Sequence, residues 1–276
     1  MAEQREAVQF LVAGGLSVQR ACVLVQIHRS TFRYTAHPSA DTALLSQIQA
    51  LAEQHPRYGY RRITVLLNRT EKVNQKRVRR LWRRHRLQVR RVVRKRIRRP
   101  RPERLQAAYP GHIWAYDFVE DALADGTLLR ILTVMDAFTR EGLALDVALT
   151  TSAERVIGVL AALFAQHGAP AHLRSDNGSE FVALAVQPWL AQCGVQTLSI
   201  EPGKPWQNGK EERFNGTVRD ECLNLHVFTS LPEACVRLNG FRQHYNSDRP
   251  HSQLDYLSPL AFKAAWLEAQ AKAQDS

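Results

Sequence analysis

The sequence predicts an α/β protein: a mixed β-sheet with helices on both faces, preceded by small all-α units. Three observations carry that prediction. Residues 111–200 read in the order β-β-β-α-β-α-β, a three-strand meander feeding alternating units. The stretch before them shows only helical periodicity. Between Lys76 and Arg101, 15 Lys and Arg fall in 26 positions without one acidic residue. The full 276-residue chain has 38 Lys+Arg, 26 Asp+Glu and a formal charge of +12. Outside the basic stretch, 23 cations therefore face 26 acids, and the remainder is close to neutral.

Composition excludes several classes. A hydrophobic share of 45% is enough for a packed core and excludes wholesale disorder. The length fits one mid-sized domain with smaller ones attached. No apolar run approaches the roughly 18 residues of a membrane span. Glu3 and Glu6 stand where a signal peptide wants cations. Cys22, Cys193, Cys222 and Cys235 show neither CxxC nor zinc-ligand spacing. The expectation is an intracellular protein in a reducing cytoplasm, with no membrane partner.

The elements follow in order. Ser17 can cap a helix with Val18, Ala21, Cys22 and Val25 on one face. A turn at Gln26-Ile27-His28 leads to Arg29-Ser30-Thr31-Phe32-Arg33-Tyr34, so residues 1–36 have the shape of a helix-turn-helix. Asp41 to Gln54 reads as an amphipathic helix with Leu44, Leu45, Ile48, Leu51 and Ala52 inward, stopped before Pro56. A helix through Leu67 comes next. Asn74 can cap another, with Val78, Leu81 and Trp82 inward. Its outward Lys76, Arg77, Arg80, Arg83 and Arg84, continued by Arg90, Arg91, Arg94, Lys95 and Arg96, form the footprint of a polyanion. Residues 41–101 are thus a basic helical region for nucleic acid, with a linker over 102–110 after Pro100 and Pro102.

From Gly111, His112–Glu120, Thr127–Asp136 and Leu143–Leu149 read as strands joined through Asp125-Gly126 and Thr139–Gly142. Ser152–His167 is a helix stopped by Gly168. Ala171–Ser175 is a strand, Ser179–Cys193 a helix and Val195–Ile200 a strand. Residues 111–265 form the core with its C-terminal helices, and 266–276 a tail.

Three carboxylates stand out. Asp117 sits mid-strand among Trp114, Tyr116 and Phe118, where burial is costly without a cation or hydrogen bonds. Asp176 follows a strand, at the end where α/β folds place ligands, although Asp-Asn-Gly also reads as a turn. In Asn208-Gly209-Lys210-Glu211-Glu212, a cap at Asn208 would put Glu211 at the position that reaches back to it, leaving Glu211 structural. Glu212 then shares a ridge with Asn215, Gly216 and Arg219, opposite Phe214, Val218 and Cys222. Converging carboxylates make a hard oxygen site suited to Mg²⁺ or Mn²⁺. Two such ions promote phosphodiester displacement.

These words resemble a known family: insertion-sequence transposases of the two-reading-frame kind (the IS-three family), within the retroviral-integrase-like group. Trp114–Val119 resembles its first-aspartate strand, and Leu132–Arg140 its second strand. Ser175-Asp176-Asn177-Gly178-Ser179-Glu180-Phe181 resembles the second-aspartate motif. Pro202–Gly209 with Glu212, Phe214, Asn215 and Arg219–Asn224 resembles the glutamate motif. Tyr245-Asn246, Arg249-Pro250-His251 and Leu257-Ser258-Pro259 resemble the C-terminal signature, and Arg57–Ile63 the helix-turn-helix-like region. The 35 residues between Asp176 and Glu212 match the Asp-Asp-35-Glu spacing. Arg213 and Lys210-Glu211 depart from the pattern, which has a small residue and apolar ones there.

The resemblance implies a ribonuclease-H-like core with Asp117, Asp176 and Glu212 as catalytic metal ligands. It implies Mg²⁺, with Mn²⁺ as substitute and two ions when DNA is bound. The reaction it implies is cleavage exposing a 3′ hydroxyl at an element's end, then attack of that hydroxyl on target DNA. Arg219 would position DNA. It further implies a homo-oligomer on double-stranded DNA, association with the product of an upstream reading frame, and action at the nucleoid of a prokaryotic cytoplasm. The alternative is a DNA-binding regulator whose core is an inactive scaffold.

Overall fold

The computed structural model describes residues 2–34, 41–89, 105–175, 180–199 and 209–274. The chain divides into two units, Met1–Glu53 and Gln54–Ser276.

In the first unit, α1 (Ala2–Ala13), α2 (Val18–Leu24) and α3 (Arg29–Arg33) enclose Val8, Ala21, Cys22 and Ile27. The Ser17 hydroxyl accepts from the Arg20 amide and begins α2 as expected. Gln26 takes a left-handed φ of 57° at the turn, the conformation that reverses a chain directly after a helix. Ile27 thereby enters the core and His28 caps α3. The α3 end has orphan carbonyls. Arg5 of α1 meets them, donating to Thr31 O at 2.7 Å and Tyr34 O at 2.9 Å. The next helix, α4, spans Asp41–Gln54 with Leu44 and Ile48 buried.

The second unit begins with α5 (Tyr60–Leu67) and α6 (Gln75–Arg84). Asn74 Oδ1 accepts from the Lys76 amide at 2.8 Å. The buried side of α6 is Val78, Leu81 and Trp82. Lys76, Arg80, Arg83 and Arg84 are exposed, and Arg77 is half-buried.

The sheet has the order β3-β2-β1-β4-β5, from β1 (Ile113–Ala122), β2 (Leu128–Asp136), β3 (Gly142–Ala148), β4 (His172–Ser175) and β5 (Gln196–Ser199). The meander pairs antiparallel; β4 pairs parallel with β1 and with β5. Alternation along β1 sorts two cores. Trp114, Tyr116 and Phe118 pack with α7 (Ala153–His167) and α8 (Glu180–Gln192) through Leu160, Leu163, Val186 and Leu190. Ala115 and Val119 face the other way, toward Phe214, Val218 and Cys222 of α9 (Glu211–Glu221) and Ala234, Leu238 and Tyr245 of α10 (Leu231–Ser247). Helices therefore cover both faces, the mixed-sheet expectation.

One expectation is corrected. The cap of α9 is Lys210, and Glu211 is its first helical residue. Asn208 lies outside the described residues and Glu211 does not reach back to cap anything. The last helix, α11, spans Pro259–Gln274. Phe262 and Trp266 pack on Phe138, and Lys263 pairs with Glu141 at 2.9 Å.

Candidate active site

Asp117 lies in the middle of β1, on the face that α9 covers. Its carboxylate is compensated on both oxygens. Oδ1 accepts from the Phe118 amide at 2.8 Å, and Oδ2 accepts from Asn215 Nδ2 at 2.7 Å. Its backbone carbonyl accepts from the buried Thr133 hydroxyl across the antiparallel pair. The residue as a whole is only partly buried.

Asn215 ties α9 to this strand. Four residues on, Arg219 donates to the Glu120 carbonyl at 3.0 Å. With Asn215 opposite Asp117 and Arg219 opposite Glu120, α9 runs alongside β1 in the same direction. Glu212 is one helical turn before Asn215 on the same ridge. It is exposed, while Phe214 and Val218 anchor the opposite side of the helix in the core. The ridge of Glu212, Asn215, Gly216 and Arg219 is thus observed as read.

Asp176 lies outside the described residues, as do Arg90, Arg91, Arg94, Lys95 and Arg96. The strand before Asp176 is described: Ser175, last in β4, pairs with Tyr116, the residue before Asp117. Among the described residues no group of three or more His, Cys, Asp or Glu side chains converges as a metal site. Two features of the donor set nevertheless suit a hard cation. Asp117 offers carboxylate oxygens at the strand, and the buried Asn215 Oδ1 beside it has no hydrogen-bond partner.

Glu211 differs sharply from its neighbour. It is 2% exposed, and neither carboxylate oxygen has a hydrogen-bond partner. Burial pushes its pKa up to about 7, against the pull of Arg174, Lys210 and Arg140. Burial and Arg140 push Lys210 down to about 8, and its Nζ donates to the Ala137 carbonyl at 3.0 Å. Adjacent glutamates on one helix therefore have opposite environments: Glu212 faces solvent and Glu211 the core. The hydrogen bond from Asn215 to Asp117 was not anticipated from the sequence; its only signal was a place on the Glu212 ridge.

A mixed sheet with helices on both faces, and a helix lying along its central strand, defines a ribonuclease-H-like α/β fold beside helix-turn-helix-like elements. Comparison with known proteins agrees. Two integrase core domain families match residues 107–205 and 193–259, and an HTH-like domain matches 39–96. The chain is 40% identical to an insertion element IS476 protein from Xanthomonas euvesicatoria, over 97% of this chain and 79% of that one. It is 29% identical to transposase InsD for insertion element IS2A/D/F/H/I/K from Escherichia coli, over 91% of this chain and 89% of that one. Among solved structures it is similar to a chain of the simian T-cell lymphotropic virus intasome in complex with PP2A regulatory subunit B56 gamma. That likeness has a TM-score of 0.52 and 17% identity, covers 78% of this chain and 74% of that one, and concerns the fold. The chain belongs to the insertion-element transposases with an integrase core domain. No helix among its described residues is long and apolar enough to cross a membrane.

Proposed function

We propose that this chain is a metal-dependent polynucleotidyl transferase that exposes a 3′ hydroxyl at the end of an insertion sequence and joins that end to target DNA. The observation that carries this reading is the Asn215–Asp117 hydrogen bond, which sets the Glu212 ridge of α9 against the strand bearing Asp117. The parallel register supports adding Asp176, because Ser175, the residue before it in sequence, pairs with Tyr116, the residue before Asp117. Asp117, Asp176 and Glu212 would hold Mg²⁺, or Mn²⁺ in its place, with two ions when DNA is present. Bound there, such ions would supply activation of the attacking oxygen and stabilisation of the leaving one.

The residues have separable tasks. Asn215 keeps the Asp117 carboxylate oriented. Arg219, exposed at the far end of the ridge, places DNA phosphate beside it. Lys76, Arg77, Arg80, Arg83 and Arg84 on α6 hold the duplex by charge, continued by Arg90, Arg91, Arg94, Lys95 and Arg96. Water attacks first and the freed 3′ hydroxyl second, so no covalent protein–DNA intermediate is needed. The working assembly on DNA is a homo-oligomer, joined by the upstream reading-frame product, at the nucleoid of a prokaryotic cytoplasm.

The test is strand transfer with purified chain, a labelled duplex bearing the element's end, supercoiled target and Mg²⁺ or Mn²⁺. Joined product should appear and vanish in Asp176→Asn, with duplex binding unchanged. Transfer retained by Asp176→Asn overturns the metal-ligand assignment. Sequence-specific binding without product, even with the upstream partner added, makes the protein a DNA-binding regulator.

A further inference from the structure

The C-terminal end of α9 is gripped by arginines from two directions. Glu221, its last residue, accepts from Arg249 twice, Nε to Oε2 at 2.6 Å and Nη2 to Oε1 at 2.7 Å. The same Oε1 accepts from Arg62 Nη1 of α5 at 2.9 Å. The preceding residue, Asp220, pairs with Arg57. The Glu221–Arg249 pair is buried, at 10% and 4% side-chain exposure. Burial alone would raise the Glu221 pKa, but the hydrogen bonds and charges of Arg249 and Arg62 hold it below the usual value.

Aromatic groups close the junction. The Arg62 guanidinium lies 5.0 Å from the Tyr58 ring centroid, and the Tyr58 hydroxyl contacts His244 Nε2 of α10 at 3.0 Å. The Arg249 guanidinium lies over Tyr245, which meets Phe214 of α9 edge-on at 5.0 Å between centroids.

Ion pairs this deep add little net stability, because desolvation offsets most of the attraction. What they add is geometry, since a carboxylate forked by one arginine and met by a second accepts few arrangements. The joined parts are informative. Arg57 and Arg62 belong to the helical region that carries the arginine ridge of α6. Asp220 and Glu221 end the helix that begins with Glu212.

We propose that Arg57 and Arg62, through Asp220 and Glu221, are positioning residues that lock α9 to the α5–α6 pair. Duplex held on the α6 ridge then meets Asp117 and Glu212 of the same chain in one register. The inference rests on the proposed function for its reaction, and the contacts themselves are independent of it.

The test uses the full chain and a labelled element-end duplex, mapping the cleaved phosphate at nucleotide resolution. Arg62→Met should stay folded by thermal unfolding and bind duplex as before. It should cut about tenfold or more slowly and at several neighbouring phosphates. Arg62→Lys, which restores one charged contact, should return cleavage to a single position. Wild-type rate and a single cleavage position in folded Arg62→Met overturn the proposal, as does a rate loss matched by lost duplex affinity. If Arg62→Met does not fold, Asp220→Asn at the half-exposed pair with Arg57 is read in the same way. If the wild-type chain makes no product even with the upstream partner added, the functional reading fails and the junction is judged by hydrogen exchange. Duplex binding should then protect α9 amides in wild type and not in Arg62→Met; equal protection in both overturns it.

Discussion

Changing Glu211 to glutamine should stabilise the protein increasingly as pH rises. Glu211 opens α9 at 2% exposure with both carboxylate oxygens unpartnered. Burial raises its pKa from 4.5 to about 7. An acid with a folded pKa above its unfolded one contributes fully to stability below the unfolded value. That contribution is lost as pH rises through the folded value. A shift of this size amounts to about 3 kcal/mol over the window, nearly all of it gone by pH 7 to 8. Glutamine keeps the shape and does not titrate, so the wild type alone loses this stability. The assay is urea unfolding of both chains in chelator from pH 5 to pH 8.5, read as the difference in unfolding free energy. The gap should widen by about 3 kcal/mol toward high pH. Parallel pH profiles would refute the buried, unpartnered carboxylate. The same variant should retain strand transfer, because Glu211 is packed away from solvent while Glu212, the proposed metal ligand, is exposed.

Gly142→Ala should destabilise by about 1–3 kcal/mol in thermal unfolding. The new methyl would lie 2.8 Å from Phe214 Cζ and 3.1 Å from Cε2, pushing on the helix two residues beyond Glu212, so transfer should fall too. Asn215→Ala removes the donor to Asp117 Oδ2 and should weaken Mn²⁺ affinity about tenfold in calorimetric titration while sparing duplex binding. Unchanged affinity would show that Asn215 does not hold the ligand. Replacing exposed Arg83 and Arg84 by glutamine should lower the slope of log affinity against log salt by about 2. An unchanged slope would move the duplex to another surface.

Much of this protein was legible in its sequence because the signals are local. Helical periodicity located α4 to its observed ends, Ser17 and Asn74 cap where their side chains allow, and alternation placed the strands of the meander. The ridge bearing Glu212 followed from 3.6 residues per turn and from Phe214 and Val218 needing cover. Asp117 could be singled out because a carboxylate among aromatic residues in a strand needs a compensating partner. Which partner it has, Asn215, was decided by α9 packing along β1, a contact between residues 98 apart in sequence. The start of α9 also escaped local reasoning. A cap at Asn208 satisfies a sequence motif, but the helix begins at Glu211, whose side chain is packed into the core. The arginine junction on Glu221 is equally non-local, joining Arg62 and Arg249 from distant parts of the chain. Sequence alone determined the elements, their order and the residue types able to bind metal and phosphate, because hydrogen bonding and burial act over a few neighbours. Only the tertiary structure decided what holds Asp117 and Glu221, because burial and charge pairing depend on chain segments that meet only when folded.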